Sequence, residues 1–80
     1  MNREETEKLR EKYLKKFYNA PNELQLRRLI KEKDLANFAS FYRFMQGEHT
    51  LSIKKCEIIS KESDKKALEL IEKLQRFINT

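Results

Sequence analysis

One glycine, Gly47, and one proline, Pro21, are the only strong breakers in eighty residues. A chain with so little punctuation cannot build many tight turns, and its β-branched residues are few. It has to fold mainly as helices joined by short connections. The expected class is all-α: a compact bundle of about five helices.

The apolar periodicity divides the chain accordingly. Leu9, Tyr13 and Phe17 recur at helical spacing, with Leu14 and Tyr18 beside them, and predict a first helix over 4–18. Asn19-Ala20-Pro21 ends it. Pro21 suits the first turn of a second helix, with Glu23 near its positive end and Leu26, Leu29 and Ile30 turned inward as far as Lys33. Asp34-Leu35-Ala36 is a short connection. Asn37 is an N-cap candidate for a third helix ending near Gln46, and Gly47 is the left-handed residue that closes it. Ser52 caps a fourth helix from Ile53 to about Ser60, with Leu51 and Cys56 as its hydrophobic staple. Ser63 or Asp64 opens a fifth helix over 64–78, whose apolar face is Ala67, Ile71, Leu74 and Ile78. The whole of 1–80 reads as a single helical domain around a core of about 22–60.

Several function classes lose support. A single cysteine, Cys56, allows no internal disulfide, and no Cys/His cluster has metal spacing. A lone thiol fits a reducing compartment, so the expected location is cytoplasmic. No apolar run is long enough for a membrane span, and the charged start MNREETEKLREK lacks the centre of a signal peptide. His49 stands alone in a loop, and Cys56 has no His/Asn partner pattern. With no Gly-rich phosphate loop either, no cofactor is expected and the chain reads as a non-enzyme.

Charge is permissive for nucleic acid. Lys and Arg number 18 against 13 Asp and Glu, a net +5. The excess is dispersed along the chain, and the stretch 34–47 carries only Asp34 and Arg43. Most carboxylates stand three or four residues from a cation, as on a solvated helix surface.

The most informative stretch is FYRFMQGEHTLSIKKCEIISK, Phe41 to Lys61. A helix ends in Tyr42-Arg43-Phe44-Met45-Gln46-Gly47. A loop, Glu48-His49-Thr50-Leu51, leads to the Ser52-capped helix. This order resembles the lambda-repressor-like helix-turn-helix family of phage repressors, Cro proteins and Xre-type regulators, over roughly 35–59. In this chain the expected turn of the pair lacks the family's glycine and is one residue longer, Lys31 replaces a small residue, and Glu48-His49 follows Gly47 where a basic residue is common.

The resemblance implies a central helix-turn-helix that uses the 37–46 helix for recognition. Phe41 and Phe44 would face the core. Phe38, Ala39, Tyr42 and Arg43 would face the major groove, with Arg43 on guanine or phosphate. Asn37, the Ser52 helix start, Lys54 and Lys55 would hold phosphates. The implied function is a small double-stranded-DNA-binding transcriptional regulator of phage or mobile-element type, with a homodimer as a natural extra.

A second reading stays open from the residues themselves. Phe38 and Tyr42 stand four apart on the outer side of their helix, so the scaffold could serve as a protein-interaction module, such as a phage or plasmid inhibitor or a replication accessory factor. Stacking of the same aromatics on single-stranded DNA is a third.

Overall fold

A computed structural model describes residues 2–78. Its α-helices are α1 (Arg3–Tyr18), α2 (Leu26–Glu32), α3 (Phe38–Met45) and α4 (Ile53–Ile78), with one turn of 3-10 helix at Asn22–Leu24 between α1 and α2. No strand occurs among the described residues. The all-helical expectation therefore holds, with four α-helices in place of about five.

α1 starts where Asn2 accepts a hydrogen bond from the Glu5 N–H at 2.8 Å. Glu4 and Glu5 sit at its positive end and Lys15 and Lys16 at its negative end, each matched to the dipole. Its buried residue is Phe17, whose ring lies 6.0 Å from Tyr13, 6.0 Å from Phe41 and 6.3 Å from Phe44. This aromatic cluster joins α1 to α3. Around it Leu26, Leu29, Ile30, Leu35, Ala36, Leu51, Cys56 and Ile59 complete the core. α1 packs on α3 and α4, and α2 packs on the same two helices.

Two expectations about boundaries need correction. Pro21 does not enter the first turn of a long second helix. It is extended, with φ −64° and ψ 147°, ahead of the 3-10 turn, and Gln25 then turns left-handed at φ 51°. The detour buries Leu24 and lets α2 begin only at Leu26. Glu23 accordingly lies in the 3-10 turn.

The larger correction concerns the C-terminal half. The expected fourth and fifth helices are one helix of 26 residues. The junction foreseen at Ser60–Asp64 is held helical by what surrounds it. Ser63 points inward and is buried. Lys16 of α1 bonds the Ser60 hydroxyl and pairs with Asp64 at 2.8 Å, and Lys33 pairs with Glu62 at 2.9 Å. Glu62 holds the Lys33 pKa above its ordinary value, and Lys33 holds that of Glu62 below its own. At about 1.5 Å per residue α4 is close to 39 Å long, so it outruns the core, and the molecule measures 50 × 23 × 18 Å. Every residue of 71–78 is exposed.

Candidate nucleic-acid interface

The site is built on α2, α3 and the turn between them. α2 ends in a Schellman arrangement. Asp34 takes φ +49°, its N–H reaches the Lys31 carbonyl at 3.4 Å, and the Leu35 N–H reaches the Ile30 carbonyl at 3.1 Å. Aspartate tolerates this left-handed geometry better than most residues, so the turn closes without a glycine. Leu35 and Ala36 are then buried, which anchors the connection to the core.

Asn37 caps α3 as expected: its side-chain oxygen accepts from the Ser40 N–H at 3.1 Å. Phe41 and Phe44 are buried, and this fixes the rotation of α3. Ala39, Tyr42 and Arg43 consequently face solvent, and Phe38 is half-buried. α3 carries no acidic side chain, and Arg43 forms no ion pair among the described residues.

The same end geometry recurs after α3. Gly47, at φ +95°, donates to the Phe44 carbonyl at 2.9 Å, and Glu48 donates to the Arg43 carbonyl at 3.1 Å. Both helices of the pair thus stop in a left-handed cap closed by the same two backbone hydrogen bonds.

Two cations from α2 lie over the aromatics of α3. The Lys31 ammonium is 4.2 Å from the centroid of the Phe38 ring, and the Arg27 guanidinium is 6.0 Å from that of Tyr42. Sequence reasoning gave neither cation a site role. The available signal was a matched spacing: 27 and 31 on one helix, 38 and 42 on the next. Beside this face runs an open groove of about 540 Å³, lined by Phe17, Tyr18, Arg27, Arg28, Phe41 and Met45 among others.

The remaining residues of the expected site lie at the start of α4. Ser52 accepts from the Lys55 N–H at 3.2 Å and so caps the helix, while Lys54 and Lys55 are exposed on its first turn. Leu51 and Cys56, the expected staple, are both buried in the core. The Thr50 hydroxyl donates to the Ser40 carbonyl, which ties this loop to α3. Asn37 and Ser52 thus cap their helices and the Ser40 carbonyl holds the loop, while Tyr42 and Arg43 with Arg27 and Lys31 are exposed beside a half-buried Phe38.

His49 places Nδ1 3.4 Å from Nη1 of Arg10, away from any second histidine. Among the described residues no three His, Cys, Asp or Glu side chains gather into a metal-holding group. Burial pushes the Cys56 thiol up to about 11, against a smaller opposing pull from Arg10, so it stays protonated at neutral pH. No helix among the described residues is long and apolar enough to cross a membrane.

Comparison with known protein families, with curated proteins and with solved structures finds no match to this chain.

Proposed function

We propose that the chain binds double-stranded DNA through a helix-turn-helix formed by α2 and α3, as a small transcriptional regulator of phage or mobile-element type acting in a cytoplasm. One observation carries the reading. The solvent side of α3 offers Arg43 and Tyr42 with no carboxylate on that helix, and α2 adds Arg27 and Lys31 to the same face. α3 then enters the major groove. Arg43 addresses guanine or a phosphate, Ala39 and Phe38 offer apolar contact to thymine methyls, and Tyr42 reaches the groove wall. Arg27, Lys31, Lys54 and Lys55 supply phosphate contacts, and the caps at Asn37 and Ser52 hold these groups in place.

The test is fluorescence anisotropy with a random duplex pool and a random single-strand pool, each across a salt series. Duplex binding should weaken steeply with salt. Arg43→Ala should lower affinity by about tenfold or more, and Lys54→Ala/Lys55→Ala should flatten the logarithmic salt slope by about 2. No binding to either pool at low salt would sink the proposal, and preference for single strands would replace it with base stacking on Tyr42 and Phe38.

The second reading, a protein-interaction module, draws on the exposure of Tyr42, 47%, beside a half-buried Phe38. It expects Phe38→Ala and Tyr42→Ala to abolish a protein complex that the charge changes leave intact.

A further inference from the structure

The open groove beside α3, of about 540 Å³, falls in the size class of small-molecule sites. Phe17 of α1, Leu26 of α2 and Phe41 of α3, all buried, line it together with the half-buried Met45. Its charge is one-sided: Arg27 and Arg28 line it, and no Asp or Glu does. The Arg28 Nε is engaged by Glu32 at 2.8 Å. Arg27 has no ion pair among the described residues. Its guanidinium stands 6.0 Å from the Tyr42 centroid, the outer reach of a cation–π contact. One guanidinium thus keeps its donors free beside an apolar cleft.

We infer that this groove binds a small aryl carboxylate, with its ring on Phe17, Leu26 and Phe41 and its carboxylate in the fork of Arg27. Charge complementarity selects the occupant. A carboxylate accepts two parallel N–H bonds from a guanidinium. A cationic ligand would face two arginines with no acidic group in the lining, and a neutral one would forgo the charge-assisted bonds to Arg27. The rings of Phe17, Tyr18 and Phe41 in the lining favour a flat aromatic body over an aliphatic one.

On the DNA-binding reading of α3, on which this consequence rests, Arg27 also contacts a phosphate. A carboxylate seated on Arg27 takes those donors and sets a negative charge beside Tyr42. Ligand and duplex therefore compete for one guanidinium, and occupancy of the groove weakens DNA binding.

The probe is 2-naphthoate, with 2-naphthol as its uncharged counterpart. Each is titrated at neutral pH into the full chain and followed by backbone amide NMR shifts. At the efficiency of drug-sized ligands its roughly thirteen non-hydrogen atoms give a dissociation constant of about 1 mM. Saturable shifts should centre on Tyr18, Ala20, Gln25, Arg27 and Met45. Binding of 2-naphthol to the parent, and of 2-naphthoate to Arg27→Gln, should each be weaker by about fivefold or more, with Arg27→Lys intermediate. No saturation by about 10 mM, ten times that constant, would overturn the inference. So would shifts centred on the exposed apolar residues of α4, or equal binding of naphthoate and naphthol. In the duplex anisotropy assay, saturating 2-naphthoate should lower the affinity of the parent several-fold relative to equal chloride, and leave that of Arg27→Gln unchanged. Duplex affinity indifferent to bound ligand would overturn the competition. A chain that binds 2-naphthoate in the groove but no duplex would overturn the DNA reading and leave the groove's ligand standing.

Discussion

Replacing Gly47 with alanine isolates the energetic role of the one glycine in the chain. The position has φ +95°, and a Cβ built there meets nothing within 4 Å. The substitution therefore causes no collision with neighbouring elements, and its cost is local to the backbone. Holding an L-residue left-handed costs about 1–2 kcal/mol, less a few tenths regained because alanine is stiffer than glycine in the unfolded chain. An upper bound comes from the alternative of letting the cap open. That would forfeit the Gly47–Phe44 and Glu48–Arg43 hydrogen bonds, about 0.5–1.5 kcal/mol each. The two routes cost similar amounts, so the expected loss is about 1–2 kcal/mol, and Gly47→Asn should lose about half as much. Urea unfolding followed by circular dichroism measures both, and the alanine variant should melt several degrees lower, at about 4–8 °C per kcal/mol for a domain of this size. An alanine variant as stable as the parent would refute the reasoning. So would an asparagine variant as damaged as the alanine one.

Cys56 gives a pH-dependent expectation whose sign follows from burial. Its pKa rises from 9.0 to about 11 on folding, so above pH 9 the unfolded chain sheds a proton that the folded one keeps, and stability falls. The difference in unfolding free energy between the parent and Cys56→Ala should be constant below pH 8 and shift against the parent by about 2–3 kcal/mol by pH 11; a constant difference throughout would show that the thiol titrates normally. Lys31→Ala discriminates between the two readings of α3: duplex affinity should fall by several-fold with a shallower salt slope, whereas a protein partner seated on Phe38 should bind the variant as well or better. Unchanged duplex binding by Lys31→Ala would remove this lysine from the interface.

Much of the fold was legible because the core obeys helical periodicity. Phe17, Leu26, Leu29, Ile30, Phe41 and Phe44 are all inward as their spacing requires, and the caps at Asn37 and Ser52 form as read. What failed was the reading of polar residues as breaks. Ser60-Lys61-Glu62-Ser63-Asp64 looks like a cap followed by a first turn. Serine at 63, however, is small enough to sit against the body as an interior helix position, and Lys16 and Lys33 find partners only if the helix continues. Local propensity cannot register ion pairs with α1 and the end of α2. The left-handed turn at Gln25 was equally hidden, because glutamine gives no sign of such a conformation and only the burial of Leu24 rewards it.

The site was legible residue by residue but not as a surface. The solvent-facing Ala39, Tyr42 and Arg43 and the half-buried Phe38 of α3 follow from the inward pair Phe41 and Phe44, yet their character is set by α2. The ammonium of Lys31 over Phe38 and the guanidinium of Arg27 near Tyr42 convert an apolar ridge into a cationic one. A bare aromatic ridge recruits apolar partners, and the same ridge under two cations attracts phosphate while still presenting ring edges to bases. The stretch from Phe41 to Lys61, on which the sequence reading put DNA ahead of a protein partner, contains neither cation. The preceding helix adds two cations beside Phe38 and Tyr42, and this added positive charge supports the DNA proposal over a purely apolar contact.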